Sequence, residues 1–266
     1  MSIKIGVMDS GAGGLTILRS IHHAIPHAEL LYFADQANAP YGSKSDHFIT
    51  NRLISIAKYF REQQCDVMVV ACNTATVAGI SALRAELILP IIGVEPAVKP
   101  ACLNSHRKHI SVLATLATSK SQRLNELIEN WRFDTSVQVI SSPSLASLID
   151  EMPESHEQIL QELDRLSRLI KVHKSDALVL ACTHYPLIKE MFSDVLPGVQ
   201  IVEPSQGVTA QVRRVLSCLK PGSLESVTIK GQGPVSLFTN GREGFQSCLK
   251  FWSTSLTLVK LSYLDI

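Results

Sequence analysis

One stretch of this chain occurs twice, and the repeat limits what the chain can fold into more than any other feature. Asp176-Ala-Leu-Val-Leu-Ala-Cys-Thr-His-Tyr-Pro186 is preceded, 110 positions earlier, by Asp66-Val-Met-Val-Val-Ala-Cys-Asn-Thr-Ala-Thr76. Each copy opens on Asp, runs through five apolar residues, and ends on Cys followed by small polar groups. Such a run is too short for a helix and reads as a buried strand that delivers a thiol at its carboxyl end. Asp66/Asp176, Val69/Val179, Ala71/Ala181 and Cys72/Cys182 are identical pairs. Ile5-Gly-Val-Met-Asp-Ser10 is echoed by Ile110-Ser-Val-Leu-Ala-Thr115, and Gly93-Val-Glu-Pro96 by Ile201-Val-Glu-Pro204, at offsets of 105 and 108. Three matches in one order at nearly one period point to a duplicated half. A chain built this way can present two equivalent cysteines to one another.

Between the repeated strands the periodicity switches to helical. Glu29 to Ala34 reads as a strand, and Ser45 or Asp46 caps a helix with Phe48, Ile49, Leu53, Ile56 and Phe60 on one face. A helix with Leu15, Leu18 and Ile21 follows a first strand from Ile3 to Met8, and a helix with Ile80, Leu83 and Leu87 follows the Cys72 strand. The second half repeats the scheme: a strand from His109 to Ala114, a polar turn from Thr115 to Ser119, a helix face of Leu124, Leu127, Ile128 and Trp131, a strand from Val137 to Ile140, and a long helix of Ile159, Leu163, Leu166 and Ile170. Strands alternating with helices predict an α/β chain, two pseudo-symmetric doubly wound domains with mostly parallel sheets and the active site in the cleft between them. The last sixty or so residues have no echo. They comprise a helix with Val208, Val212 and Leu216, strands near Val227 and from Val235 to Thr239, and a helix from Arg242. They return to the first domain, which is expected over 1–97 plus 207–266, the second over 98–206.

The composition excludes several function classes. With 266 residues, 45% hydrophobic and 18% charged, the chain can bury a core in each of two domains. A formal charge of +1 with no Lys/Arg block argues against dedicated nucleic-acid binding or an anionic membrane surface. No secretory leader or membrane-length apolar run is present, which places the expected location in the cytoplasm. Six cysteines without a C-x-x-C pattern signal no metal site and should remain free thiols there.

The candidate site residues sit in turns after strands. Asp9-Ser-Gly-Ala-Gly-Gly14 is a Gly-rich turn before a helix, a natural anion site, but it lacks the Walker lysine and the full G-x-G-x-x-G. Taken alone it could be no more than a tight connection in which Asp9 caps the helix. Pro40 and Gly42 make Asn38 to Lys44 irregular, a surface loop unless its hydroxyls and amides meet a ligand. Cys72 is followed by Asn73 and Thr74, and Cys182 by Thr183 and His184, where a thiol that only fills a core would be followed by apolar residues. Two facing acid/base groups suit removal of a proton from one side of a carbon and its return on the other. One must be a thiolate while its partner is protonated.

Asp9-Ser-Gly-Ala-Gly-Gly14, Pro40-Tyr-Gly-Ser43, Ala71-Cys-Asn-Thr74 and Ala181-Cys-Thr-His-Tyr-Pro186 resemble, in order and along nearly the whole chain, the motifs of the cofactor-independent glutamate racemase family. The resemblance implies two α/β domains, interconversion of L- and D-glutamate for peptidoglycan, and no cofactor or metal. It implies Cys72 as the base acting on D-glutamate and Cys182 as the base acting on L-glutamate, assisted by Asp9 and His184 respectively. Substrate would be held by Ser10, Tyr41, Gly42, Asn73, Thr74 and Thr183, with Pro40 and Ser43 of the same motif and Thr115 and Thr118 joining them. No motif contains Arg or Lys, so amides and hydroxyls would bind the carboxylates. Two departures stand out. Leu148-Ile-Asp150 replaces Leu-Val/Ile-Glu, leaving Asp150 or Glu151 as the auxiliary acid, and Glu203-Pro-Ser205 replaces Asp-Ser. Alternatives are a racemase of aspartate or another small amino acid, a cysteine hydrolase using His184 as base, and a carboxylate-binding module without turnover. A homodimer is compatible with the sequence.

Overall fold

The computed structural model describes residues 2–224, 232–241, 248–249, 252–253 and 258–266. The strands are β1 (Lys4–Asp9), β2 (Glu29–Ala34), β3 (Val67–Val70), β4 (Ile91–Gly93), β5 (His109–Ala114), β6 (Ser136–Ser141), β7 (Ala177–Ala181), β8 (Gln200–Val202), β9 (Val235–Thr239) and β10 (Leu258–Tyr263). The helices are α1 (Leu15–Ala24), α2 (Asp46–Glu62), α3 (Asn73–Glu86), α4 (Val98–Asn104), α5 (Leu116–Ser119), α6 (Gln122–Trp131), α7 (Leu145–Asp150), α8 (His156–Val172), α9 (Lys189–Val195) and α10 (Ser205–Leu219). Two compact units result: Met1–Val94 with Ser205–Ile266, and Glu95–Pro204.

The first unit carries a sheet in the order β10-β9-β2-β1-β3-β4 and the second a sheet in the order β6-β5-β7-β8. Every described pairing is parallel. The duplication read from sequence is visible as topology: β2-β1-β3-β4 and β6-β5-β7-β8 have the same order. The repeated strands β3 and β7 are buried along their whole length, as parallel strands covered on both faces must be. In each unit the order reverses beside the first strand, so β1 and β3, and β5 and β7, place their carboxyl ends at a switch point where open parallel sheets bind ligands.

The repeated aspartates lie at the opposite, amino end of these strands. Asp66 accepts the Lys4 backbone N–H at 2.9 Å and pairs with Lys220 at 2.7 Å. Asp176 accepts the Ser105 hydroxyl at 2.6 Å and the Arg107 backbone N–H at 2.7 Å. They tie strand entries together and are not part of any strand-end chemistry.

Helix α2 shows how local sequence sets packing. The Ser45 hydroxyl accepts the Phe48 N–H at 3.2 Å, an N-cap worth about 1 kcal/mol. Ile49, Leu53, Ile56, Ala57 and Phe60 then bury one face. Phe60 lies directly on β1 at Gly6, where an added Cβ would sit 2.6 Å from its ring. Only glycine allows that approach.

Three sequence expectations differ from the structure. Asn38 to Lys44 is not wholly irregular: Gln36–Asn38 and Tyr41–Ser43 are single turns of 3-10 helix, and Tyr41 is buried, so the segment is no simple surface loop. Thr115 to Ser119 is the short helix α5 rather than a turn, because the Thr115 hydroxyl accepts the Thr118 N–H at 3.2 Å and caps it. Sequence periodicity also missed α4, α9 and β10. The strand near Val227 and the start of the helix from Arg242 fall outside the described residues.

Candidate active site

In the first unit the switch point gathers Asp9 and Ser10 at the end of β1 and Cys72 just past β3. The Cys72 sulfur lies 3.7 Å from the Ser10 hydroxyl and is buried. Asp9 is fully buried, and its Oδ2 accepts the Gly14 N–H at 2.9 Å. The Gly-rich turn is closed further by the Tyr32 hydroxyl, which donates to the Gly11 carbonyl at 2.6 Å. An added Cβ at Gly14 would fall 2.9 Å from the Asp9 Cβ and 3.0 Å from the Tyr32 ring, so glycine there lets the carboxylate reach the backbone.

Cys72 occupies the N-cap of α3 without a side-chain capping bond. The first N–H groups of that helix are therefore oriented toward the switch point, with the partial positive charge of the helix behind them. Asn73 follows at 3% exposure, and neither its Oδ1 nor its Nδ2 has a hydrogen-bond partner. A buried amide with both ends unmatched costs stability, and beside a helix N-terminus it is the kind of cost a ligand-binding group carries. Thr74 is also buried.

Of the Pro40–Ser43 motif, Tyr41 alone turns inward. Pro40, Gly42 and Ser43 are exposed, and the Ser43 hydroxyl donates to the Pro40 carbonyl at 3.0 Å. The Tyr41 hydroxyl donates to Asp35 at 2.5 Å. Burial, then the charges of Asp35 and Cys72, push the phenol far above its usual range, so Tyr41 is a neutral donor.

In the second unit the equivalent strand end carries Cys182, buried, with its sulfur 3.9 Å from His184 Nδ1. His184 Nε2 lies 3.1 Å from Asp150 Oδ1. A carboxylate thus lies against one side of the imidazole, whose other nitrogen faces the thiol. Asp150 ends α7, whereas Glu151, the C-cap residue, points into solvent. Of the two acids left open in the sequence, Asp150 is the one beside His184, since the last helical residue faces the unit's interior and the next rotates outward. Thr118 and Thr183 are buried and Thr115 half-buried, the first bonded to Thr115 Oγ1 at 3.1 Å.

Sequence reasoning missed the groups behind these side chains. In the first unit Asp35 supports Tyr41. In the second, Tyr185 is fully buried and its phenol is pushed up by burial, by Cys182 and by Glu162. Its hydroxyl reaches the Ser142 carbonyl at 3.5 Å, and the Ser142 hydroxyl donates to Glu162 at 2.6 Å. The tyrosine in the repeated motif was the available signal for this group. Among the described residues no cluster of three or more His, Cys, Asp or Glu could hold a metal ion.

Residues 5–213 match the family described as Asp/Glu/Hydantoin racemase. The chain belongs to that family. The glutamate racemase of Pseudomonas syringae pv. tomato is 39% identical over 215 residues, 80% of this chain and 78% of that protein. Two solved glutamate racemase structures match over nearly the whole chain. The crystal structure of Escherichia coli glutamate racemase in complex with L-glutamate and the activator UDP-MurNAc-ala is 27% identical, with a TM-score of 0.83 over 100% of this chain and 99% of that one. Glutamate racemase from Francisella tularensis subsp. tularensis in complex with D-glutamate is 25% identical, with a TM-score of 0.79 over 99% and 98%.

Proposed function

We propose that this chain is a glutamate racemase that inverts the α-carbon with two thiols and no cofactor. The observation that carries the reading is the pair of matched strand ends in a member of this family. Each delivers one cysteine with its own polar support, Cys72 beside Ser10 and Cys182 beside His184 and Asp150.

The chemistry follows from these groups. With L-glutamate bound, the Cys182 thiolate takes the α-proton and becomes a thiol. The electron pair stays on the flattened carbon. Cys72, protonated at the start, gives its proton to the opposite side and is left as thiolate. The reverse direction exchanges the two roles. Asn73 and the first amides of α3 hold a substrate carboxylate, with Ser10, Thr74, Thr183, Thr115 and Thr118 supplying hydroxyls. Asp9 assists Cys72 by holding the turn that carries Ser10. His184 assists Cys182 by stabilising its thiolate or returning its proton. The reaction runs in the cytoplasm, and its D-glutamate feeds peptidoglycan synthesis; a homodimer is compatible with this reading. These assignments rest on the family resemblance. Among the described residues no helix is long and apolar enough to cross a membrane.

The Cys182, His184 and Asp150 series would also suit a nucleophilic thiol with its base. That hydrolase reading leaves Cys72 without a task. Polarimetry on a panel of D- and L-amino acids, with wild type, Cys72→Ala and Cys182→Ala, separates the readings. A racemase inverts glutamate and loses the activity in both variants. Activity retained in Cys72→Ala, or turnover of aspartate in preference to glutamate, would contradict the assignment.

A further inference from the structure

Asp35 directly follows β2, is fully buried, and lies outside every motif that suggested a function. Its carboxylate accepts from five donors: Tyr41 Oη at 2.5 Å, Arg52 Nε at 2.9 Å, Arg52 Nη2 at 2.8 Å, Asn38 Nδ2 at 2.9 Å and Asn240 Nδ2 at 2.6 Å. Arg52 Nη1 also donates to the Ile266 carbonyl at 2.6 Å. Burial alone would raise the Asp35 carboxyl, but the bonds from Arg52, Tyr41 and Asn38 outweigh it and hold the group below its usual range. The carboxylate is therefore a fixed negative post with its lone pairs filled. Tyr41 and Cys72 belong to one buried apolar cluster, and the Tyr41–Ser43 turn packs on α3, the helix that Cys72 caps.

We infer that Arg52 is a positioning residue for the Cys72 half of the site: its fork clamps Asp35, Asp35 fixes the Tyr41 hydroxyl, and the fixed ring walls in the thiol. The inference rests on the racemase reading only for the claim that Cys72 is reactive. The bidentate fork is what lysine cannot reproduce, because an ammonium carries the charge without the plane.

The test is the rate of iodoacetamide alkylation at Cys72 and Cys182, read peptide by peptide in the full chain. Cys182 serves as the internal reference. Arg52→Lys should raise the Cys72-to-Cys182 rate ratio about tenfold, the scale of a lost charge-assisted hydrogen bond. Tyr41→Phe, which removes only the hydroxyl, should do the same, and the double variant should go no further than about twofold beyond either. Glutamate kcat/KM should fall about tenfold in Arg52→Lys and change less than about twofold when the substitution is made in Tyr41→Phe. Should Arg52→Lys fail to fold by circular dichroism, Asp35→Asn takes its place in the same cycle. An unchanged ratio, equal acceleration at both thiols, or effects that multiply in the double variant would overturn the clamp. A wild type inert toward glutamate, with the alkylation ratio behaving as stated, would sink the racemase reading and leave the clamp standing.

Discussion

Replacing Asp150 by Asn removes one negative charge from behind His184 while keeping the side chain's size. The 3.1 Å contact joins side chains that are 11% and 6% exposed, so solvent screens it little. A hydrogen bond to a charged group is worth roughly 1.5 to 3 kcal/mol. Since the 3.1 Å contact is a close charge contact rather than an aligned hydrogen bond, the lower part of that range applies, and kcat/KM for glutamate should fall about 10- to 30-fold. Because L- and D-glutamate have equal free energy in water, kcat/KM must fall by the same factor in both directions, and the asymmetry has to be sought elsewhere. Isotope effects supply it. With α-deuterated L-glutamate, the impaired Cys182 step is the first proton transfer, and its primary isotope effect should grow. With α-deuterated D-glutamate, Cys72 acts first, so the substrate isotope effect should shrink while the solvent isotope effect rises. Stopped assays by circular dichroism on both labelled enantiomers read this directly. A loss under about twofold, or isotope effects that change alike in both directions, would refute the placement of Asp150 behind the base proposed for L-glutamate.

Three further outcomes follow from single residues. Asn73→Ala should raise KM for glutamate about tenfold or more yet leave the protein as stable or up to about 1 kcal/mol more stable, because it deletes a buried amide with no partner; chemical denaturation beside kinetics checks both signs. Gly6→Ala forces a methyl to 2.6 Å from the Phe60 ring and should cost about 1 to 3 kcal/mol of overpacking, with Phe60→Leu recovering part of the loss in urea melts. Burial pushes the Cys65 thiol up to about 12. A group held protonated in the folded state contributes stability fully present below its unfolded pKa of about 8.5, and lost as pH rises through the folded value. Denaturation between those limits should therefore show a decline that is shallower in Cys65→Ala.

The parallel α/β architecture was legible because both sheets use strands that are apolar throughout. β2 and β5 were delimited to the residue, and the duplicated order of strands was foreshadowed by the repeats. The elements that were missed are short or late. Helices α4 and α9 have seven residues each, too few for a helical period to emerge. β10 alternates Lys and Ser with apolar residues at a sheet edge, and such a pattern is weak. At the site, the thiols and their polar successors stood out because Asn, Thr and His after a buried strand are costly. The supports did not. Asp35 follows a strand like any other loop acid, and Arg52 lies between Asn51 and Leu53 on an amphipathic helix, where a cation normally faces water. Which of Asp150 and Glu151 meets His184 depended on where α7 ends, and helix ends are the part of a sequence reading most easily displaced by a residue.

The most direct measurement is the fate of the α-hydrogen when L-glutamate is incubated with the wild-type protein in D2O without added cofactor. Two thiols of separate origin should give D-glutamate carrying deuterium at Cα, while the L-glutamate still present early in the reaction keeps its protium. D-glutamate that retains the substrate's own hydrogen, or no D-glutamate at all, would contradict a reaction run by Cys72 and Cys182.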